Sequence, residues 1–172
     1  MIKIKVNNFN LKDTVTCGQI FRFIEENDSF IIILKDRVVK LKQENDNLYV
    51  TSNNEENLEN VIKYYLDLNR DYEKINNKII LNNPDLKSSI EKSNGLKMIQ
   101  QDKFETIISY IISANNRVPM ISKVVNNISE KYGKEVMFEN KRYYLFPTPQ
   151  EMKDCTKEEL RNLKTGFRDE YI

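Results

Sequence analysis

The pattern of apolar and polar positions changes period near the middle of the chain. In residues 21–52, "FRFIEENDSFIIILKDRVVKLKQENDNLYVTS", β-branched and aromatic residues fall in short runs. The breaks between the runs, "EENDS", "KDR" and "ENDN", have the composition of hairpin turns. Val38, Val39, Lys40, Leu41 and Lys42 begin to separate an apolar face from a polar one. This predicts an antiparallel meander with one face that needs a cover. The cover is predicted next in the chain. Over residues 55–68, Leu58, Val61, Ile62, Tyr65 and Leu66 recur at helical spacing behind a glutamate-rich first turn. Shorter helices are expected at 71–78 and 84–92, the second with Asn83 as its cap before Pro84, and Gly95 is the expected stop.

Beyond Gly95 the helical period takes over. Phe104, Ile107, Ile108, Ile111 and Ile112 make one stripe, and Val118, Ile121, Val124, Val125 and Ile128 make another. A hairpin of helices joined across "NNRV" follows from this, closed by Gly133. "EVMFENKRYYLF" predicts a small strand pair. After a short helix in "PTPQEM", a helix is expected behind Thr156, with Glu159 three residues on as its capping-box partner. The fold class is therefore α+β, with an antiparallel sheet lobe and its covering helices in residues 1–95 and a mainly helical part in residues 96–172. No internal repeat or low-complexity linker stands out.

Composition narrows the chemistry. The 172 residues are 40% hydrophobic and 31% charged, which suits one globular domain or two small lobes. No run reaches the roughly 18 apolar residues of a membrane span. The start, "MIKIKVNNFN", lacks the apolar core of a secretory signal, so a cytoplasmic location is expected. Histidine is absent, which excludes Ser-His-Asp triads, Cys-His pairs and HExxH zinc sites. Cys17 and Cys155 share no CxxC spacing and are expected to be buried, reduced thiols. No cofactor or metal is implied. The net charge is +1, with acidic and basic residues in balance on either side of residue 100. Bulk charge thus gives no support to a nucleic-acid partner, although it is compatible with a local patch.

Three stretches could carry a site, and each has a structural reading beside the functional one. Gly18 in "TCGQIFRF" either lets a backbone carbonyl approach a ligand or is a turn glycine entering a strand. Asn115 and Asn116 either satisfy backbone groups at a helix junction or offer an amide to the edge of a nucleobase. In "GFRDEY", Phe167 and Arg168 are either a wedge and a base reader, or a core phenylalanine beside a surface arginine. Local chemistry favours the structural reading at all three.

The order of the stretches reverses that preference. "GQIFRF", "YYLDLNRDYEKI", "GLKMIQQDKFETIISYIISANNRVPMI", "FPTPQEM" and "GFRDEYI" occur in sequence over almost the whole chain. In this the chain resembles the front portion of the bacterial-type 8-oxoguanine DNA glycosylase/AP lyases, of the helix-hairpin-helix-GPD superfamily. The resemblance implies a sheet lobe similar to half of a TATA-binding protein, followed by the start of a helical glycosylase domain. It also implies base-excision repair of double-stranded DNA containing 8-oxoguanine, with no membrane, metal or obligatory oligomer. Such an enzyme extrudes the damaged base and offsets the lost stacking by filling the vacated space. By resemblance, Asn115 fills that space, Phe167 wedges beside the orphaned base and Arg168 reads it. The Gly18 carbonyl accepts a hydrogen bond from N7–H of 8-oxoguanine, a proton that guanine lacks. Asn116 remains a structural cap.

In the family, a lysine attacks the sugar to form a Schiff base and an aspartate stabilises the charge that develops. Both follow a glycine-rich helix-hairpin-helix. The four glycines here, at 18, 95, 133 and 166, cannot form that hairpin. The catalytic Lys and Asp are therefore expected beyond Ile172, and the chain alone is expected to be inactive. The alternative reading is a DNA- or protein-binding module without catalysis. One departure from the family has chemical content. Where the animal enzymes carry a second cytosine-reading arginine, this chain has Met120, which offers no donors and packs against any base. A complete enzyme with this front part is expected to discriminate less for cytosine opposite the lesion, as cleavage of duplexes with each of the four opposite bases would measure. A strict requirement for cytosine would refute that expectation.

Overall fold

In the computed structural model, which describes residues 1–172, three of the expected hairpin turns, at 27–28, 45–46 and 139–140, are tight two-residue loops, and the "KDR" turn spans residues 34–37. Asn27 and Asp28 both take positive φ, 48° and 59°, as do Glu139 and Asn140 with the same pair of values. Two consecutive left-handed residues match the right-handed twist of the strands they join, which is why such turns close hairpins. The first half contains β1 (Ile2–Lys5), α1 (Leu11–Thr16), β2 (Phe23–Glu26), β3 (Ser29–Ile33), β4 (Val38–Glu44) and β5 (Asn47–Ser52). The strands form one antiparallel sheet in the order β1-β5-β4-β3-β2, so the first strand returns to pair with the fifth, Ile2 opposite Val50. Helix α1 was not anticipated. It is capped by Asn10, whose side chain accepts from the Asp13 amide at 2.9 Å, and it buries Leu11 and Val15.

The cover is α2 (Leu58–Tyr65), which sets Leu58, Ile62, Tyr65 and Leu66 against Phe30, Ile32, Val39, Leu41 and Val50 of the sheet. The following α3 (Tyr72–Asn82), a 3-10 turn at Pro84–Leu86 and α4 (Lys87–Lys92) bury no residue. Asn83 makes no capping hydrogen bond, contrary to expectation; the side chain that caps here is Asp71, which accepts from the Lys74 amide at 2.9 Å. Gly95 has a role beyond ending a helix. Its φ is +94°, and a Cβ there would lie 2.9 Å from the Asn10 nitrogen, which donates to the Gly95 carbonyl at 2.8 Å. Only glycine permits that approach. Four residues on, Ile99 still packs into the sheet-lobe core.

The second half contains α5 (Lys103–Ser113), α6 (Val118–Tyr132), β6 (Glu135–Phe138), β7 (Lys141–Tyr144), α7 (Pro149–Met152), α8 (Lys157–Asn162) and a 3-10 turn at Gly166–Glu170. Ile108 and Ile112 pack with Ile121, Val124, Val125 and Ile128 in a second core, together with Phe146, Met152 and Leu160. Ile107 belongs to the same sequence stripe but points away from α6 and is 57% exposed. Thr156 and Glu159 form the expected capping box, and Thr148 and Glu151 form another that "TPQE" also spells. Cys155 is half-buried but Cys17 is exposed, so the expectation of two buried thiols fails for Cys17. No helix is long and apolar enough to cross a membrane.

The two halves interlock. The β6–β7 hairpin folds back over the sheet, where Phe138 and Tyr143 pack on Ile31 and Val38, and two ion pairs, Lys40–Glu139 at 2.8 Å and Lys141–Glu26 at 2.9 Å, flank the contact. Arg22, 4% exposed, leaves the sheet lobe to pair with Glu105 of α5 at 3.3 Å and to donate to the Tyr144 carbonyl. Burial pushes the Glu105 carboxyl up and the Arg22 guanidinium down; for both, lost hydration outweighs their mutual attraction. A raised acid pKa means that the folded protein holds this proton more tightly than the unfolded chain. Glu105 therefore stabilises most below its ordinary value of 4.5, and that contribution is lost as pH rises through its folded value. Glu105→Gln keeps an acceptor for Arg22, so urea unfolding should show this variant gaining on wild type as pH rises from 4.5 to 7. Glu105→Ala, which strands a buried charged donor, should cost about 1–3 kcal/mol across the range. Parallel pH profiles for wild type and Glu105→Gln would show that the carboxyl is not perturbed.

Candidate nucleic-acid interface

The junction between α5 and α6 is built by backbone geometry first. Helix α5 ends at Ser113, and Asn115 takes the left-handed conformation, φ 51°, which asparagine tolerates better than most residues. Its neighbour Asn116 faces inward, donating from Nδ2 to the Ile112 carbonyl at 3.1 Å and accepting from the Arg117 amide at 2.9 Å. Asn116 thus closes the end of α5, which leaves Asn115 exposed at the apex. Met120 stands in the first turn of α6, 43% exposed.

The terminal 3-10 turn completes this edge. Arg168 is only 8% exposed, and every guanidinium nitrogen is engaged: Nε and Nη2 on the Ala114 carbonyl, Nη2 also on Asn115 O at 3.0 Å, and Nη1 on Thr165 O at 3.1 Å. A cation on the last carbonyls of a helix complements its dipole as well as their hydrogen-bonding capacity. Phe167 is 58% exposed and covers the guanidinium, its ring centroid 4.5 Å from Cζ. The local alternative for this pair, a buried phenylalanine beside a surface arginine, is therefore inverted. Asn115, Phe167 and Arg168 come together on one edge, although they lie about fifty residues apart in the chain.

Gly18 lies elsewhere. It does not enter a strand as expected; it follows α1 in a turn, exposed, with φ +93° and nothing within 4 Å of where a Cβ would sit. That is the usual place for a glycine that ends a helix. No hydrogen bond within the protein reaches its carbonyl. The turn is tied to the residues that lead into α5. Gln19 Nε2 donates to the Lys97 carbonyl at 2.8 Å, Gln19 Oε1 accepts from the Ile99 amide at 2.9 Å, and Gln101 Nε2 donates to the Gln19 carbonyl at 2.7 Å. Gly18 is thus anchored near one end of α5 and Asn115 stands at the other. Eleven helical residues, roughly 16 Å, separate the two ends.

Sequence reasoning missed Gln19, Gln101 and Arg22. They fall inside motifs that carry the resemblance, yet a glutamine or arginine beside a strand reads as surface until its partners, some eighty residues away, are known. Lys97 was missed likewise: it is 5% exposed, with Nζ 4.1 Å from the Tyr72 ring centroid, and burial lowers its pKa. No cluster of Cys, Asp or Glu has the geometry to hold a metal ion.

Residues 1–107 match the family described as 8-oxoguanine DNA glycosylase, N-terminal domain, and the chain belongs to that family. Over 80 residues it is 32% identical to an N-glycosylase/DNA lyase of Saccharomyces cerevisiae, a match covering 45% of this chain and 21% of the yeast protein. Among solved structures it is similar to MBOgg1 in complex with a low-affinity DNA ligand, at TM-score 0.91 and 36% identity, covering 98% of this chain and 59% of that one. It is also similar to the Clostridium acetobutylicum 8-oxoguanine glycosylase/lyase in complex with double-stranded DNA containing cytosine opposite 8-oxoG, at TM-score 0.88 and 36% identity, covering 99% and 62%. The chain thus spans less than two thirds of the length of these relatives.

Because Arg168 closes the carbonyls under Asn115, its loss should be felt in stability. Arg168→Ala is expected to cost about 2–3 kcal/mol in urea unfolding, and Arg168→Lys should recover little of it, since an ammonium cannot span three carbonyls. Wild-type stability in Arg168→Ala would show that the guanidinium is not needed there.

Proposed function

We propose that this chain is the lesion-recognising front part of a glycosylase/AP lyase that removes 8-oxoguanine from double-stranded DNA in base-excision repair. In this reading the boundary near residue 95 separates the sheet lobe from the first part of the helical glycosylase domain, and the protein works in the bacterial cytosol on chromosomal DNA. The observation that carries the reading is the division of labour along α5. At one end an exposed amide and an exposed aromatic ring form a single edge; at the other the exposed Gly18 has a carbonyl that no group of the protein hydrogen-bonds. The two groups have different tasks. Asn115 and Phe167 replace the stacking that the extruded nucleotide gives up, and the Gly18 carbonyl tests the extruded base for a proton at N7.

Arg168 has two states in this scheme. Without DNA its donors are spent on the carbonyls of Ala114, Asn115 and Thr165. To read the orphaned base it gives up some of those bonds, and the base edge replaces them as acceptor. Met120 contributes apolar contact without a donor, consistent with a tolerant reading of the opposite base. In this reading the chain carries recognition elements and does not itself supply the lysine nucleophile or the aspartate.

The test is binding by the purified chain to short duplexes with and without 8-oxoguanine, beside borohydride trapping. A preference for the damaged duplex is expected, with roughly ten-fold weaker binding for Phe167→Ala, in line with about 1–3 kcal/mol for a lost base stack. No covalent adduct should form. Equal affinity of wild type and Phe167→Ala would remove the wedge from the proposal, and an adduct would place the nucleophile within this chain.

A further inference from the structure

Guanine and 8-oxoguanine differ at N7 by a lone pair against an N–H, so an acceptor at that point selects one and a donor selects the other. The discriminating group in the reading above is a backbone carbonyl, and its peptide partner is the Gln19 N–H. Rotation of that planar unit by half a turn would put the N–H where the carbonyl stood and invert the preference. The location offers little resistance of its own. Gly18 has no side chain, its φ of +93° is one that glycine leaves at little cost, and no neighbour lies within 4 Å of its Cβ position. Something outside the turn has to fix the sense of this peptide.

We propose that Gln19, with Gln101 behind it, is the positioning residue that fixes the Gly18 carbonyl as an acceptor and so sets the specificity of the site. The proposal rests on the reading of Gly18 given above. The Gln19 side chain docks on the extended segment at 97–99 as a neighbouring strand would: Nε2 donates to the Lys97 carbonyl at 2.8 Å and Oε1 accepts from the Ile99 amide at 2.9 Å. The same Nε2 lies 3.1 Å from Cys17 Sγ and 3.4 Å from the Thr14 carbonyl, which ties it to the end of α1 as well. On the main chain, the Gln19 carbonyl is held by Gln101 Nε2 at 2.7 Å. The Lys97 amide donates to Thr14 Oγ1 at 3.2 Å, which fixes the docking segment against α1.

Gln19 is thus pinned through its side chain and through its own carbonyl, on the C-terminal side of the peptide that could flip. With both holds in place, a compensating rotation about Gly18 ψ and Gln19 φ has no room. Glutamine is suited to the task because one planar amide supplies the donor and the acceptor that the 97–99 backbone demands. Glutamate keeps an acceptor for Ile99 and loses the donor for Lys97. Gln101 immediately precedes Asp102, the residue that caps α5, so the clamp is anchored at the start of the same helix whose far end carries Asn115.

The test measures the ratio of affinities for 8-oxoguanine and guanine duplexes for the 172-residue chain and its Gln19→Ala, Gln19→Glu and Gln101→Ala variants, with amide exchange at Ile99 as a second readout. The expected result is a ratio lowered at least ten-fold in Gln19→Ala and Gln19→Glu, and less in Gln101→Ala. Affinity for the undamaged duplex should not fall below that of wild type, and exchange should speed up at Ile99, whose amide donates to Gln19 Oε1. A merely structural role would lower both affinities together. A Gln19→Ala variant with the wild-type ratio and folded exchange elsewhere overturns the proposal. If wild type itself shows no preference, the reading of Gly18 fails and the specificity role falls with it; faster exchange in Gln19→Ala would then identify the lost element as Gly18, and unchanged exchange would remove the clamp too.

Discussion

The architecture depends on one buried cation. Arg22 stands at the entrance to β2 and crosses from the sheet lobe to the helical part, where it meets the Glu105 carboxylate and the Tyr144 carbonyl. A guanidinium withdrawn from water, with Nε already unpartnered, loses much if either remaining acceptor goes, so the three elements that supply or carry them are held in register. Glu105 fixes the N-terminal turn of α5, Tyr144 fixes the end of β7, and the β6–β7 hairpin is thereby held against the outer face of the sheet. The apolar patch between Ile31, Val38, Phe138 and Tyr143 supplies the attraction, and the arginine supplies the geometry.

That geometry matters because α5 is the ruler of the candidate site. Its start is fixed by Glu105 and by the Asp102 cap, and just before it Gln101 reaches the turn that carries Gly18. Its end is fixed by Asn116 and by Arg168, which absorb the carbonyls that a helix leaves unpaired. A rigid helix between two pinned turns keeps the two ends of the candidate site at a set separation. Asn115, Phe167 and the Gly18 carbonyl are left free at the two ends, beside exposed Arg117 and Met120. Around them most polar groups are spent inside the protein, while the buried Asp169 Oδ1 has no hydrogen-bond partner.

Much of the fold could be read along the chain because its signals are local. The hairpin turns lie where "END" clusters interrupt apolar runs, and the paired turns adopt the left-handed residues that two-residue loops require. The stripes of α5 and α6 and the capping box at Thr156 follow from spacing alone. Where the reading missed, the competing signal was also local. Asn10 and "LKDTV" fit a helix start, but lay beside a stretch read as strand. Asn83 before Pro84 has the right composition for a cap and makes no capping bond, because Asp71 caps the preceding helix and Asn83 ends it.

The site divides differently. The sequence by itself determined which residues could recognise a base, since a glycine, an amide, an aromatic and a guanidinium at those positions are visible in any reading, and their order identified the family. Tertiary structure alone decided which of them are free to act. Arg168 became a buried clasp and Phe167 its exposed cover, the reverse of what hydropathy suggests, because the carbonyls at the end of α5 demand a cation. Gln19 and Arg22 gained their roles from partners some eighty residues away. Hydrogen-bond satisfaction in a buried setting is a property of three-dimensional neighbours, and no periodicity along a chain records it.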